Sequence, residues 1–368
     1  MDLSEQQLHI VPENSATMLA VRELWPAFER PTSSFSTRWS GLAGGITPPG
    51  WWAADILISG AALELFSTKN AYYIPSAGAV ISADGQVFSK TIKQWLYADP
   101  ELKQLQTIWA SRASAPRLAQ GIVTMPFGAT LNYGHFVLDA MTSVAATAQA
   151  IGSQAVFLTP KLQDWQRQHF KLLQIKPVEL TRPIYAIDQI TFSSGMSGAL
   201  HAPNAHFQTL RDLQLPGLPI APNGPRRIYI SRRGKKRKLI NEDELERVLR
   251  HFGFAIILPE TLPVAKQIIV FRSAKVIVAP TGAGLANLLY AQKASVFEII
   301  PRDMTLNDYS HKWVAYLTAM GEGDWRPFFC EDLPGHEQAV IAGQKRPGYK
   351  PFEIPIDDLV SFIAPVLF

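Results

Sequence analysis

His135 and Asp139 stand four residues apart in the segment Asn132-Tyr133-Gly134-His135-Phe136-Val137-Leu138-Asp139. In a helix that spacing puts both side chains on one face. An imidazole beside a carboxylate can work as a proton acceptor with its orienting partner, or as a base with an electrostatic helper. Gly134 marks where the chain enters the helix, so the pair falls near a helix start. A plainer role fits the same residues: Asn132 caps the helix and His135 is a satisfied buried side chain.

A second group lies in Ala279-Pro280-Thr281-Gly282-Ala283-Gly284-Leu285, between an expected strand and an expected helix. Two glycines let the backbone approach a diphosphate, and a helix start offers free amides and a favourable dipole. The Thr281 hydroxyl could cap that helix or donate to phosphate. A turn needing positive φ is the other reason to find glycines there. The third group, Ser231-Arg232-Arg233, follows an expected strand, where guanidinium groups match phosphate oxygens in charge and geometry. It sits in a basic window containing Arg226, Arg227, Arg232, Arg233, Lys235, Lys236, Arg237 and Lys238 and no acid, +8 in a chain of net charge +4. Lys235, Lys236 and Lys238 read as a solvated loop. The window lacks interleaved aromatics and known motif spacing, so nucleic acid is not an expected partner. Glu298 interrupts the apolar strand 296–300, and burying it requires a partner. Ribose hydroxyls or a salt bridge to the basic window would each supply one.

The elements that must position these groups suit two domains, because 368 residues exceed one ordinary core. A 47% hydrophobic and 18% charged composition is that of a folded globular chain. A single cysteine, Cys330, excludes an internal disulfide framework and a cysteine-built metal site, and fits a reducing compartment. The acidic start, Met1-Asp2-Leu3-Ser4-Glu5, does not read as a signal peptide, and the apolar stretch Trp51 to Phe66 is broken by Asp55 and Glu64. A cytoplasmic protein, compatible with peripheral membrane contact, is expected.

The first hundred residues are irregular, with turns at Pro31-Thr32, Pro48-Pro49-Gly50 and Ala83-Asp84-Gly85 and short strands at 71–75 and 78–81. The spacing predicts a helix over 136–151, a strand over 155–158 and a helix over 165–173. A Pro- and Gly-dense linker spans 214–225. Beyond it, strands at 227–231, 254–258, 275–279 and 295–300 alternate with helices at 241–251, 263–273 and 281–291, the first opening on an Asn241 cap. Apolar strands alternating with helices indicate a parallel, Rossmann-like sheet covered on both faces. A final apolar helix within 354–368 is expected to pack back on the first domain.

Taken in order, the blocks Asn132-Tyr133-x-His135-Phe136-x-x-Asp139, Ile230-Ser231-Arg232-Arg233…Arg237…Asn241-Glu242 and Gly282-Ala283-Gly284-Leu285-Ala286-Asn287, then Val296-Phe297-Glu298-Ile299-Ile300-Pro301, resemble the family 61 glycosyltransferases. That family includes capsular-polysaccharide-type proteins; Glu260 and Gln267-Ile268 fit the same pattern, which covers roughly residues 120–305. The resemblance implies an α/β fold of GT-B type, two Rossmann-like domains facing a cleft. Here these would be 1–215 on the acceptor side, with an irregular β-containing beginning, and 226–330 on the donor side, followed by the tail 331–368. It implies an inverting transfer from a nucleotide-sugar, often a UDP-sugar, to a hydroxyl of a glycan or other acceptor, as in surface polysaccharide or glycoconjugate synthesis. Diphosphate contacts would come from Arg232, Arg233 and Gly282-Ala283-Gly284, with Thr281 and Glu298 beside them. Acceptor-side chemistry would come from Asn132, Tyr133, His135 and Asp139, with Asp139 taking the proton and His135 orienting it or binding the acceptor.

The chain has no Asp-x-Asp pair, so no metal and no cofactor is expected, and the arginines would stabilise the leaving group. Many family members carry a histidine where this chain has Thr281. That departure motivates the alternative of a catalytically inactive nucleotide-sugar or polysaccharide-binding protein. A nucleotide-dependent oxidoreductase is disfavoured, because Gly-Ala-Gly lacks the third spaced glycine and opens the third helix of its domain.

Overall fold

In the computed structural model the described residues are 8–11, 19–25, 28–31, 57–60, 63–92, 99–152, 155–194, 206–218, 224–234, 238–301, 312–331, 333, 339–341, 344–346 and 350–367. The readings at Pro48-Pro49-Gly50, at the start of the Trp51 to Phe66 stretch, and at Lys235 to Arg237 lie outside them. The chain divides into two compact units, Met1–Phe28 with Ser59–Leu218 and Glu29–Ile58 with Pro219–Phe368.

The first unit is built on a nine-stranded mixed sheet. Its strands are β1 (His9–Val11), β2 (Leu19–Trp25), β3 (Leu63–Ile74), β4 (Ala79–Ile81), β5 (Gln86–Phe88), β6 (Arg117–Val123), β7 (Phe157–Pro160), β8 (Val178–Leu180) and β9 (Tyr185–Ser193). The order is β1-β5-β4-β3-β9-β6-β7-β8, with β2 also paired to β3. Strands β9, β6, β7 and β8 run parallel, whereas β3 joins β9 antiparallel and opens a half that is antiparallel except at its edge, where β1 runs parallel to β5. This unit is therefore Rossmann-like only in its parallel half. The Ala83-Asp84-Gly85 turn joins β4 to β5 as expected, with Gly85 at φ 87°. After β6 the chain forms helix α1 (133–151). Its Ala-rich body lacks Gly and Pro after Gly134 and stops at Gly152, whose φ of 85° suits a helix terminator. Two further helices, α2 (Asp164–Leu172) and α3 (His206–Gln214), follow.

The second unit is a five-stranded parallel sheet, ordered β11-β10-β12-β13-β14. Its strands are β10 (Arg227–Ile230), β11 (Ala255–Ile257), β12 (Val276–Pro280), β13 (Ser295–Pro301) and β14 (Asp324–Cys330). Every residue of β12 is buried, as a central parallel strand with both faces covered requires. Helices α4 (Glu242–His251), α5 (Val264–Ser273) and α6 (Lys312–Met320) accompany the sheet. The expected α-helix at 281–291 is instead a 3-10 helix, Ala283–Tyr290. Within it the Asn287 amide donates to the Gly284 carbonyl, three residues back, and to Gln267 Oε1 on α5 at 3.0 Å, which favours the tighter winding.

Two expectations fail here. The C-terminal helix α7 (Ile356–Ile363), expected to pack back on the first domain, is part of the second unit's core. Leu359, Ile363 and Leu367 join Tyr229, Leu245, Phe297 and Phe328 in one core, and the Phe362 ring lies 5.5 Å from Phe297 and 5.7 Å from Phe328. A fully buried Leu or Ile is worth about 1.5–3 kcal/mol, enough to hold a two-turn helix on the nearest apolar sheet face. Asn241, expected to cap α4, makes no side-chain cap bond. Its amide instead donates to Ile354 O at 2.7 Å and accepts from Ile354 N at 3.1 Å, pinning the tail. Among the described residues, no helix is long and apolar enough to cross a membrane.

Candidate functional site

The first part of the site is the start of α1. Asn132 caps it, its Oδ1 accepting from the His135 amide at 3.2 Å, after which a turn of α-helix, Tyr133–His135, passes into a π-helical segment, Phe136–Met141. All six π residues are buried, and the segment ends where α-helix resumes at Thr142–Ile151. Widened turns of this kind recur where a helix must re-aim a functional side chain. Asp139 lies within this segment. Its Oδ2 lies 2.8 Å from His135 Nδ1, and the pair differs sharply in exposure, 20% for the His135 side chain and 1% for Asp139. The plainer reading holds in one half only: Asn132 does cap the helix, but His135 faces solvent in part and is tied to the acid.

Tyr133 and Phe136 seat α1 against α2. The Tyr133 ring lies 5.3 Å from Trp165, and Phe136 lies 4.9 Å from Trp165 and 5.6 Å from His169. His169 is fully buried, and burial lowers its pKa to about 3, which keeps it neutral. Its Nδ1 lies 3.3 Å from the Gln214 amide nitrogen on α3. Gln166, in a capping box at the start of α2, donates to the Ala129 carbonyl at 3.0 Å and so fixes the segment leading to Asn132. Trp165, His169 and Gln166 carried no sequence signal beyond a helix pattern.

The second part lies beyond the carboxyl ends of β10 and β12, where open parallel sheets bind ligands. Arg232 Nη1 donates to the Thr281 carbonyl at 2.8 Å, and the guanidinium crosses directly over Gly282. A Cβ on Gly282 would fall well inside contact distance of Nη1 and 3.0 Å from Cζ. Gly282 itself is extended, at φ 165°, so what a side chain there would displace is the arginine, and no positive φ calls for the glycine. It also takes the N-cap position that Thr281 was expected to fill. Thr281 is buried, its amide donating to Ile299 O at 2.9 Å. Ala283 and Gly284 continue into the 3-10 helix, and a Cβ on Gly284 would meet only ordinary contacts.

Arg233 goes elsewhere. Its Nη2 donates to Glu246 Oε2 at 2.9 Å and pairs with Asp243, both on α4, while Arg250 donates to the same Glu246 oxygen. The Glu246 charge is the first cause holding the Arg233 guanidinium's pKa above its ordinary value. Much of the local positive charge is thus answered by acids on α4. Behind the turn, Glu242 is buried, and its Oε1 accepts from Tyr229 OH at 3.1 Å, Ser231 Oγ at 2.9 Å and Arg232 N at 2.8 Å. Burial, then the Glu242 charge and its hydrogen bond, push the Tyr229 hydroxyl well above its usual pKa. In the sequence Glu242 closes the second of the resembling blocks and is one of three acids in the first turn of a helix, with nothing to say what it holds. Glu298 is fully buried and accepts from the Trp325 indole at 2.9 Å, so an indole is one of its partners. The structure therefore brings Arg232, Thr281 and Gly282 together, and Asn132, Tyr133, His135 and Asp139 together, each group within its own unit. Among the described residues no group of three or more His, Cys, Asp or Glu is placed to hold a metal ion.

By fold and site this is an α/β protein whose parallel sheet carries an arginine turn and a glycine loop beyond the carboxyl ends of its strands. Residues 133–297 match the family model described as Glycosyltransferase 61, a span that takes in His135, Asp139, Arg232 and the glycine loop and stops just short of Asn132 and Glu298, and this supports a family 61 glycosyltransferase. No curated protein matches the chain.

Proposed function

We propose that the chain is an inverting, metal-independent glycosyltransferase of GT-B type, moving a sugar from a nucleotide-sugar such as a UDP-sugar to a hydroxyl of a glycan or similar acceptor. The observation that carries the chemistry is the His135–Asp139 pair. Its burial pattern favours His135 as the base. With the buried carboxylate on Nδ1, the proton sits there and the Nε2 lone pair is left to take the acceptor's proton. Asp139 then orients the ring and stabilises the imidazolium, the reverse of the roles expected from sequence. The acceptor oxygen forms a bond to the anomeric carbon as the bond to the diphosphate oxygen breaks. The negative charge released is met by Arg232 and by backbone amides of the glycine loop.

The test begins with thermal unfolding of the full chain against UDP, GDP, CMP, TDP, ADP and NAD, with and without EDTA. A ligand at a hundredfold its dissociation constant adds about 2.7 kcal/mol of stability. The matching nucleotide-sugars are then assayed for transfer. Asp139→Asn is expected to lower turnover ~100-fold or more while leaving nucleotide binding intact, the range of positioned acid–base effects. Unchanged turnover sinks the assignment. Thr281, which offers a hydroxyl where many of the resembled family carry histidine, favours one competing reading, a binding protein without transfer; nucleotide binding with neither transfer nor donor hydrolysis decides for it.

A further inference from the structure

Beyond the two arginines, the turn that follows β10 rests on a residue of α4 to which nothing so far assigns a function. We propose that Glu242 is the positioning residue of the diphosphate site, setting through one oxygen where Arg232 is held. This rests on the reading that Arg232 and the Gly282 loop receive a nucleoside diphosphate.

Three donors converge on Glu242 Oε1. Tyr229 belongs to β10, Ser231 is the first residue past it, and the Arg232 amide belongs to the turn itself. The Ser231 hydroxyl, while donating to Glu242, accepts from the Arg233 amide at 3.2 Å, so the same oxygen reaches the next residue of the turn as well. From that fixed backbone the Arg232 side chain crosses Gly282 and ends on Thr281 O. The chain of contacts is continuous: α4 carboxylate, turn backbone, guanidinium, glycine loop. A carboxylate buried this close to an anion site opposes the anion by charge. Its presence is therefore explained by geometry: a single acceptor atom serves a hydroxyl on the strand, a hydroxyl at its end and a backbone amide of the turn.

Charge and geometry predict opposite outcomes in two conservative variants. Glu242→Gln keeps an acceptor oxygen at the same reach and loses the charge. Glu242→Asp keeps the charge and withdraws the oxygen by about one methylene, ~1.5 Å. The full-length protein is titrated calorimetrically with inorganic pyrophosphate and with UDP and GDP, and its melting temperature is recorded without ligand. Positioning predicts that Glu242→Gln binds within threefold of the wild type and Glu242→Asp at least tenfold more weakly. A charge role predicts tighter binding by Gln and no change with Asp, and that result overturns the proposal. A purely structural role lowers the melting temperature of Glu242→Asp while its affinity stays at the wild-type value, and that overturns it too. A readout independent of ligand is the Arg232 Nε–H resonance, assigned by Arg232→Lys. It is expected unchanged in Glu242→Gln and displaced in Glu242→Asp; an unmoved resonance in Asp refutes the positioning even if the wild type binds none of these anions. Absence of binding by the wild type, with that resonance displaced, removes the donor-site reading and leaves the positioning intact.

Discussion

Substituting Gly282 by alanine tests the contact that joins the arginine turn to the glycine loop. At φ 165° the backbone accepts alanine without strain, so the only obstacle is the Arg232 guanidinium, which lies where the new methyl must go. Arginine is flexible enough to yield, and in yielding it gives up the 2.8 Å bond to Thr281 O. A hydrogen bond from a charged donor contributes about 1.5–3 kcal/mol when buried, and Arg232 is only half-buried, so a loss of about 1–2 kcal/mol follows. Replacing glycine also restricts the unfolded chain, which returns about 0.4–1 kcal/mol. In an Arg232→Ala background the obstacle is gone and only that gain remains. Urea unfolding of the four proteins of the cycle should therefore show Gly282→Ala destabilising when Arg232 is present and neutral or stabilising when the arginine has been truncated, a coupling of about 1–2 kcal/mol. Equal effects in the two backgrounds, within about 0.5 kcal/mol, would refute the claim that the arginine is what excludes a side chain at 282.

His169, held neutral by burial with a pKa near 3, contributes no proton uptake to the folded state between pH 6.5 and 3, whereas the unfolded chain takes one up as pH falls below 6.5. Stability should thus be lost through that window as acid is added, with a slope of up to ~1.4 kcal/mol per pH unit from this group, and His169→Asn, which keeps an acceptor for Gln214, should remove that share; parallel wild-type and variant curves from pH 7 to 4 would contradict it. Asn241→Ala should cost about 1–3 kcal/mol by breaking both bonds to Ile354, and Asn241→Ser, a good helix cap, should cost as much because capping is not what Asn241 does; a serine variant as stable as the wild type in chemical denaturation shows that it is. Asn241→Ala should also expose residues 350–367 to limited proteolysis earlier than wild type, and an unchanged cleavage pattern counts against the pinning.

What the sequence makes legible is whatever is decided over a few residues. The apolar runs of β12 and β13 betray a doubly covered parallel sheet, Asp84-Gly85 a tight turn, and Asn132 three residues before His135 a cap. The rest depends on partners far along the chain. Strand β9 pairs with β3 more than a hundred residues upstream on one edge and with β6 on the other, and no local pattern in Tyr185–Ser193 distinguishes an antiparallel neighbour from a parallel one. The apolar stripe of α7 requires burial without naming the face, and the Asn241 amide can cap a helix or pair with a passing backbone equally well until Ile354 arrives beside it. Gly282 makes the same point at the site itself. A glycine read alone suggests left-handed backbone or room for phosphate, yet its neighbour in space is a guanidinium placed by a turn fifty residues earlier, and that turn is held by a carboxylate a further ten residues on. The motifs record which residues meet, while the reason each must be what it is belongs to the contact. A variant at any one of Glu242, Arg232 or Gly282 is therefore best judged by what it does to the other two.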